Sequence, residues 1–481
     1  MLWGLGVGYV ISGEYFGWNL GLAEGGTYGM LLAFAVITVM YVTFVFSYME
    51  MACAIPRAGG VFVYGVRGLG LAAGYLGGIA QVVEFVFAPP AIAMAIGAYV
   101  NLWLPGEAHT ALAGWLSGLP EWLPTPLRML EIRHVIALVA YILFTALNIW
   151  GVRQAATFEL VVTVLAVGEL LLFTGVVAPH FRFEHFSANA WPNGWTGALA
   201  AIPFAIWFYL AIEGVANAAE EAKNPRRDVA IGFGAAMLTL VVLAACVLVT
   251  AVGVGGWERI VFSSDDLSVA TDGRVWVAPG AVASDSPLPL ALAQVVEPGH
   301  VLYDLLVGIG LLGLIASFNG IILVAGRALF EMGRVGFLPH AVGKANLRTH
   351  TPANALVLNL VVGMIAILFL DTTGLITMSA LGAVTLYIVS MLALVALRRN
   401  EPLLPRSYRT PFYPVFPLIA LVIAAASLAT MLYLNFVRAA DIWSSISTWY
   451  LGFLAVAFAY YFLLVRGRLT PADIAHFRRI E

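Results

Sequence analysis

Charged residues are scarce in this sequence. Asp, Glu, Lys and Arg make up 11% of its 481 residues, whereas hydrophobic residues make up 61%. Soluble domains contain roughly 25% charged and about 45–50% apolar residues, so this composition excludes a water-soluble fold. The apolar residues form runs of about 20, the length that a helix needs to cross the roughly 30 Å hydrocarbon core of a bilayer. The lipid bilayer is therefore the expected solvent of this chain.

Cysteine is also scarce, and the net charge of the chain is small. The two cysteines, Cys53 and Cys246, lie within or beside apolar runs, so we expect small buried side chains and not a disulfide or metal pair. A net charge of -3 is too small to indicate a nucleic-acid partner. The sequence has no nucleophile and base set, metal-ligand spacing or glycine-rich phosphate loop, so we expect no enzyme activity, cofactor or metal. It also lacks a sizeable soluble domain that would indicate a sensor.

The apolar runs predict about twelve membrane helices, because they lack the alternating polar face of an outer-membrane barrel strand. The first run starts almost at Met1 without a basic n-region, so we expect an uncleaved helix. The sequence leaves open whether a leader precedes it. The expected spans are 2–24, 28–53, 70–104, 132–152, 156–178, 196–220, 229–253, 301–327, 354–371, 374–397, 412–436 and 446–466.

Lysine and arginine predict the orientation. If the N-terminus is cytoplasmic, the outer loops carry six basic residues, Arg128, Arg133, Arg182, Arg259, Arg274 and Arg438. The chain has 24 Lys and Arg residues, so 24 minus 6 leaves 18 on the cytoplasmic side, in agreement with the positive-inside rule. We therefore expect a multi-pass protein of the cell (inner) membrane with both termini in the cytoplasm.

Three connections have features of their own. The outer loop 255–289 contains a stretch, 269–277, that is typical of a short hairpin about an Asp-Gly turn. The inner connector 327–352 starts with a helical pattern and carries basic residues, so we expect an interfacial segment. In the inner stretch 56–68 a double glycine interrupts the apolar pattern, and a re-entrant or surface helix is expected to begin there.

The first and sixth spans contain the same kind of interruption. In the first, Gly13, Glu14 and Gly17 fall near mid-bilayer, where a carboxylate costs roughly 2.5–3.5 kcal/mol and a glycine weakens a helix by about 1 kcal/mol. In the sixth, Glu213 and Gly214 follow aromatic residues within an apolar run. A glycine alone is more often a packing residue in a membrane helix. Two breaks five spans apart, each with a buried Glu, instead predict inverted repeats with a solute site between them.

Two further acidic residues lie inside spans. Glu84 in the third span and Glu169 in the fifth are functional candidates by default, because an ionisable side chain is costly in lipid. Pro89-Pro90 is expected to break the helix after Glu84, which strengthens the functional interpretation there. Glu169 is explained equally well by a hydrogen bond to a neighbouring helix.

Glu50, Glu159 and the acidic residues of the stretch 220–227 are expected near the cytoplasmic face. For Glu50 and Glu159, a solvated or loop-paired carboxylate is the expected state. The stretch 220–227 mixes both signs of charge at a helix end. It is most simply a surface salt-bridge cluster, and a gating role is the alternative.

Five stretches together resemble one transporter superfamily. They are Ile11-Ser-Gly-Glu-Tyr-Phe-Gly-Trp18, Ile55-Pro-Arg-Ala-Gly-Gly60, Glu84-Phe-Val-Phe-Ala-Pro-Pro90, Glu220-Glu-Ala-Lys-Asn-Pro-Arg-Arg227 and Arg327-Ala-Leu-Phe-Glu-Met-Gly-Arg-Val-Gly-Phe-Leu-Pro339. Over nearly its whole length the chain resembles the amino acid, polyamine and organocation (APC) transporter superfamily. Its ethanolamine permease branch is the closest match, because the first stretch is similar to that branch in particular.

The resemblance implies an all-α integral membrane protein with the leucine-transporter fold. Two inverted five-helix repeats are then expected at 1–179 and 195–398, two extra helices at 411–466 and a cytoplasmic tail at 467–481. The substrate would lie between the breaks of helices one and six. The expected substrate-binding residues are Ser12, Gly13, Glu14, Phe16, Gly17, Trp18, Glu84, Trp207, Phe208, Tyr209 and Glu213.

Glu14 indicates the substrate class. Amino acid permeases usually have a Gly-Ser-Gly-like turn here, whose free N–H groups hold the substrate carboxylate. A fixed carboxylate repels a carboxylate and pairs with an ammonium group, and nearby aromatic rings add cation–π faces worth about 0.5–2 kcal/mol. Asn19 is expected to bind a substrate hydroxyl or, equally, a neighbouring helix. We therefore expect import of a small amine, ethanolamine first. The alternative is a neutral or cationic amino acid permease that keeps Glu14 protonated.

The coupling ion is less defined. Ala166 stands where several proton-coupled relatives carry a Lys in helix five, so that proton switch is absent. Glu84 and Glu169 are then the candidates for proton coupling, and exchange without protons is the alternative. Sodium is disfavoured because helices one and eight offer few hydroxyl groups beyond Ser12 and Ser317. The oligomeric state is left open, a monomer included.

Overall fold

The chain folds almost wholly into helices. The computed structural model describes residues 2–57, 59–151, 156–221, 224–270 and 275–468, with side chains for all of these except 156–158, 217–221, 225 and 226. Within these ranges, ten helices are long and apolar enough to cross a membrane. The expected all-α membrane fold is confirmed.

These ten long helices and one shorter apolar helix form twelve spans, because one long helix contributes to two spans. Helix Trp18–Ala54 has 37 residues, and its backbone leaves the helical region at Gly26, with φ 63° and ψ -171°. It is about 55 Å long, nearly twice what a bilayer needs. Residues 18–25 therefore complete span one, which begins with Leu2–Val10, and span two follows Gly26. The shorter apolar helix Ala353–Phe369 is span nine. The prediction of about twelve spans is confirmed.

The other spans have regular bounds except for the sixth. Spans three, four and five are Leu71–Asn101, Ile132–Trp150 and Ala156–Val177. Span six consists of Gly194–Ala200, Ile202–Trp207 and the 3-10 helix Ile212–Glu221. Spans seven and eight are Pro225–Gly255 and Val301–Arg334. Spans ten, eleven and twelve are Thr372–Asn400, Val415–Arg438 and Ile446–Tyr460, the last continued by a π-helical turn, Tyr461–Val465.

Short helices and a hairpin connect the spans. The α-helical connectors are Val61–Leu69, Gly106–Ser117, Thr125–Arg128, Phe183–Ser187, Glu258–Val261 and Pro287–Leu292, and the 3-10 connectors are Ala178–His180 and Ser264–Asp266. Strand β1 (Leu267–Val269) pairs antiparallel with β2 (Val275–Val277). This confirms the predicted hairpin, whose turn, with Arg274, lies outside the described residues. We call the end of the molecule that carries residues 256–270 and 275–286 the hairpin face.

Spans three and six form the centre of the bundle. In each, 94% of the most apolar 18-residue window is buried, against 28% in spans four and eleven and 17% in span twelve. The broken span six is therefore enclosed by other helices. Irregular backbone is tolerated at membrane depth only where protein shields it from lipid, so this position is what permits the break.

The predicted break at Pro89-Pro90 is wrong. Span three stays helical across both prolines, which are buried. It packs so closely on span ten that a Cβ on Gly382 would lie 2.7 Å from the Ala80 carbonyl oxygen and the Glu84 nitrogen. Neighbouring helices can hold a proline-containing membrane helix in place, and here that tertiary contact outweighs the local effect of proline.

Two connectors also differ from their expected form. The start of connector 327–352 is not an interfacial helix of its own, because its first eight residues continue span eight to Arg334. A helix does begin after the double glycine, at Val61–Leu69. Its residues are largely buried against spans three and ten, which excludes a surface helix.

Candidate functional site

Span one is broken about halfway along its length. Leu2–Val10 is followed by one helical turn, Ser12–Tyr15, and Phe16 is extended before Gly17, whose φ of 90° is easily reached only by glycine. The helical stretches before and after the break each rise about 12–14 Å, which places it near the middle of the span. The Asn19 side chain accepts the Gly17 N–H at 3.0 Å and so satisfies one released donor.

Span six is broken at the corresponding place. Its α-helix ends at Trp207, turns follow, and a 3-10 helix starts at Ile212. Ala211 has a φ of 73°, a left-handed conformation that is uncommon for a residue with a side chain. Its N–H donates to Glu84 Oε1 at 3.1 Å, so span three supplies an acceptor that helix six does not. Both predicted breaks are confirmed, and the sixth falls just before Glu213.

The two breaks pack directly against each other. A Cβ on Gly13 would collide with the Trp207 carbonyl oxygen and lie 3.1 Å from Phe208 Cα, so only glycine fits there. The rings of Phe16 and Trp207 meet edge to face with centroids 5.4 Å apart. Trp18 stacks on Phe208 at 6.1 Å with an interplanar angle of 13°. The structure thus brings five of the predicted site residues into contact.

Glu14 lies at this contact without a partner for its carboxyl group. Its exposed fraction is 0%, and neither carboxylate oxygen has a hydrogen bond to any residue that the structure describes. Its backbone carbonyl accepts the Trp18 indole N–H at 3.1 Å. Tyr209 is near the carboxyl group, but its hydroxyl bonds with Thr38 at 2.8 Å. An unpaired buried carboxylate costs several kcal/mol, so a cation placed beside it would recover that cost.

A second acidic cluster lies between spans three, six and ten. Glu84 and Glu213 are 0% and 2% exposed, and their carboxyl groups are within hydrogen-bonding reach of each other. The Tyr387 hydroxyl donates to Glu213 Oε2 at 3.3 Å and shares a 2.9 Å hydrogen bond with the Tyr41 hydroxyl. Ser379 donates to the Glu84 carbonyl at 2.7 Å, which fixes span three against span ten.

Glu169 is bonded to the break in span one. The Tyr15 hydroxyl donates to Glu169 Oε2 at 2.7 Å, and the Tyr99 hydroxyl donates to the Tyr15 carbonyl at 3.4 Å. The hydrogen bond to a neighbouring helix, one of the two expectations for Glu169, is confirmed. Tyr15 directly follows Glu14 in the sequence, so the bond links Glu169 to the segment that carries Glu14. A coupling role for Glu169 stays a prediction.

Span eight is joined to the same break. The Ser317 hydroxyl lies 2.8 Å from the Tyr9 carbonyl oxygen and 2.9 Å from the Ser12 hydroxyl. Asn319 is directed away from this pair, because its side chain accepts the Asn148 amide of span four at 2.8 Å. Ser12 therefore helps to hold the broken segment in place.

The hairpin face is tied to span one through Asn19. The Asn19 amide donates to the Ser284 carbonyl at 2.7 Å, so its partner is a loop and not the neighbouring helix that was one of its two expected partners. The next residue, Asp285, is buried and pairs with Arg133 of span four at 3.2 Å. Burial raises the pKa of the Asp285 carboxyl group to about 6, although Arg133 opposes the shift. An open cavity of about 700 Å³ lies beside this pair, partly lined by Asn101.

The acidic residues expected at the opposite end are partly confirmed. Glu50 is loop-paired, because it accepts bonds from Arg398 at 2.8 Å and from the Thr410 N–H at 2.8 Å and lies 3.0 Å from Arg406. Glu159 is half-buried within span five. In the 220–227 cluster, the side chains 220–223, 225 and 226 lie outside the described residues.

Sequence reasoning missed three tyrosines of the site. Tyr15 lies inside the motif around Glu14 but has no separate signal, since only the fold shows that it meets span five. Tyr41 and Tyr387 lie in the middle of long apolar runs. A buried tyrosine hydroxyl normally needs a partner, so mid-span tyrosines are the signal that could have identified them.

Two helices that break against each other at mid-span, with a buried carboxyl group between them, are typical of membrane transporters. A family model described as amino acid permease matches residues 2–458, and the chain belongs to that family. It is therefore a member of the APC superfamily, as the sequence motifs predicted, and a membrane transporter of organic solutes.

The chain is similar to several known bacterial transporters. An uncharacterised transporter of Rhizobium meliloti is 26% identical over 433 residues, which cover 89% of this chain and 84% of the relative. The methylthioribose transporter of Bacillus subtilis is 25% identical over 454 residues, with 92% and 90% covered. A branched-chain amino acid permease of the same organism is 22% identical over 443 residues, with 90% and 87% covered.

Proposed function

We propose that this chain is a secondary active transporter that imports a small organic amine, with ethanolamine as the favoured substrate. The observation that supports the proposal is the Glu14 carboxyl group, which is buried at the contact of the two helix breaks and has no partner. An ammonium group supplies the charge and the N–H donors that this carboxylate lacks. A substrate carboxylate would be repelled from the same position.

Aromatic rings around Glu14 suit the same ligand. Phe16, Trp18 and Phe208 are 0% exposed and Trp207 is 2% exposed. Each ring that faces an ammonium group adds about 0.5–2 kcal/mol, most where water is excluded. A ligand can reach these rings only if the helices move, which supports transport by alternating access. In this proposal the repeats 1–179 and 195–398 move relative to each other about the two breaks.

The proposal includes the direction of transport and the ion gradient that drives it. The protein would lie in the inner membrane with both termini in the cytoplasm, as the distribution of Lys and Arg favours. Glu84 and Glu169 are the two candidates for proton coupling, and import would then be symport. Both carboxyl groups are bonded to a broken helix, Glu84 to Ala211 and Glu169 to Tyr15, so a change in their charge would act directly on the breaks.

The substitution Glu14→Gln tests the counter-ion role. We expect it to abolish uptake of labelled ethanolamine while expression and thermal stability are kept, because the amide has nearly the same shape but no charge. Glu24→Gln is the matched control, since Glu24 follows in the same span and pairs with Arg438 at the protein surface. The control variant should transport normally. Unchanged uptake by Glu14→Gln would remove the counter-ion role.

A second candidate is a neutral or cationic amino acid permease in which Glu14 is protonated. It is favoured by the family match and by the relative that is a branched-chain amino acid permease. Competition separates the two candidates. Alanine, leucine or lysine in excess should displace labelled ethanolamine only if this second candidate is correct.

A further inference from the structure

Recognition of an amine by Glu14 does not itself involve the pair Glu84 and Glu213. One oxygen of each carboxyl group has a donor, the Ala211 N–H at 3.1 Å for Glu84 and the Tyr387 hydroxyl at 3.3 Å for Glu213. The other oxygens, Glu84 Oε2 and Glu213 Oε1, are buried and have no donor. Among the described residues, no basic side chain pairs with either group.

While water is excluded, two ionised carboxylates side by side are strongly disfavoured. Like charges at this separation repel each other strongly where the dielectric constant is low, and the loss of hydration adds to this cost. One shared proton removes both problems, because the protonated group then donates to the ionised one in a strong charge-assisted bond. The geometry therefore favours a pair that holds one proton and one negative charge.

The proton on this pair is linked to the shape of span six. The Ala211 N–H is a strong donor to an ionised Glu84 and a weaker one to a neutral carboxyl group. Ala211 is the residue with the left-handed backbone conformation at the break. A change in the charge of the pair therefore changes the stability of the break itself.

Two tyrosines extend the pair into a chain of hydroxyl groups. Tyr387 bonds with Tyr41 at 2.9 Å, and the Tyr41 hydroxyl reaches the Ile206 carbonyl at 3.3 Å. The Tyr41 ring also packs against Tyr209, which lies near Glu14, with centroids 5.1 Å apart. The acidic pair and Glu14 thus lie beside the same cluster of tyrosine side chains. The carboxyl group of Glu14 and those of the pair nevertheless make different contacts.

We propose that Glu84 and Glu213 together hold the single proton that is transported with the amine. On the release side a carboxyl O–H bond breaks, the proton passes to water and two carboxylates remain, which take up a proton again from the opposite side. This proposal rests on the proposed function, and it names Glu213 as the partner that Glu84 needs. It assigns no coupling proton to Glu169.

Infrared spectroscopy tests the shared proton without any substrate. The wild-type protein should have the carbonyl band of a buried protonated carboxyl group. Glu84→Gln and Glu213→Gln should each remove the same band, because the amide of either variant donates to the remaining carboxylate and replaces the proton. Glu169→Gln is the matched control and should keep the band. A pair variant whose band is as intense as that of the wild type would overturn the shared proton.

Transport in proteoliposomes tests the coupling. The pair variants should keep ethanolamine exchange and its stabilising effect on thermal unfolding, but lose at least tenfold in uptake driven by a pH gradient and in proton entry reported by a trapped dye. Glu169→Gln should keep both. Normal proton entry in the pair variants, or loss of ethanolamine binding in them, would overturn the coupling role. If ethanolamine fails to stabilise the wild type, the proposed substrate fails, while the infrared result still decides the shared proton.

Discussion

The Tyr15 hydroxyl donates a 2.7 Å hydrogen bond to Glu169, and this bond joins the broken segment of span one to span five. Both side chains are buried, at 0% and 4% exposure. The position of the broken segment therefore depends on a side chain from a helix 154 positions away in sequence. Any movement of span one during transport must break this bond or carry span five with it.

Tyr15→Phe should destabilise the protein by about 1–3 kcal/mol, because it leaves the Glu169 carboxyl group without its donor. The measurement is thermal unfolding in detergent. Tyr99→Phe is the control, since its 3.4 Å bond to the Tyr15 carbonyl is longer and should be worth less than about 1 kcal/mol. Equal effects of the two variants would show that the bond to Glu169 contributes little.

Gly13→Ala should reduce transport at least tenfold and lower the unfolding temperature. Its Cβ would collide with the Trp207 carbonyl oxygen and crowd Phe208, so the two breaks would have to separate. Gly175→Ala in span five is the matched control, because no atom lies within 4 Å of a Cβ built there. That variant should be neutral or slightly stabilising. Normal uptake by Gly13→Ala would contradict the close contact of the breaks.

Glu50→Gln should cost about 3–5 kcal/mol, because it leaves Arg398 and Arg406 without their shared carboxylate at a buried site. Thermal stability and the yield of folded protein are the measurements. Glu401→Gln removes the other bidentate pair at this end, with Arg67, but Glu401 is 31% exposed and solvent screens the charge. Its loss should therefore cost about 1 kcal/mol or less. The reverse order of the two variants would contradict this prediction.

The pH dependence of stability should report on Asp285. Its pKa is raised from 3.8 to about 6, so the protonated group stabilises the folded protein below pH 3.8, and this contribution is lost as the pH rises through 6. Asp285→Asn mimics the protonated form at every pH. The variant should gain on the wild type by about 2 kcal/mol between about pH 4.5 and pH 8.

Thermal unfolding at several pH values measures this difference. Asp265→Asn, which removes one exposed negative charge from the same hairpin face, is the control. A gap between Asp285→Asn and wild type that stays constant with pH, or one that equals the gap for the control, would contradict the assignment to Asp285.

The sequence predicted the spans and the two breaks because both depend on local composition. A run of about 20 apolar residues needs no partner to indicate a membrane helix, and Glu beside Gly within such a run is visible in one dimension. The predicted break at Pro89-Pro90 was wrong because the backbone there depends on a distant contact and not on local composition. The effect of the prolines was overridden by the packing of span three on Gly382, and a contact between positions almost 300 residues apart leaves no local signal.

The composition of the candidate site was predictable only in part. Glu14, Gly13 and the aromatic residues were identified, because each is unusual for its position in a membrane helix. The partners of Glu84 and Glu169 were not, since a tyrosine within an apolar run does not reveal which acid it meets. The pairing of Glu84 with Glu213 could not be predicted without knowing the path of span six, which departs from an α-helix just before Glu213.

The Asn19 side chain connects the break in span one to the hairpin face. With one end it caps the released Gly17 N–H, and with the other it holds the Ser284 carbonyl on the hairpin face. The surface loop is thus fastened to the unwound backbone deep inside the protein, so that the two must tilt as a unit. A spectroscopic label on this loop would therefore report the orientation of the first helix during each transport cycle.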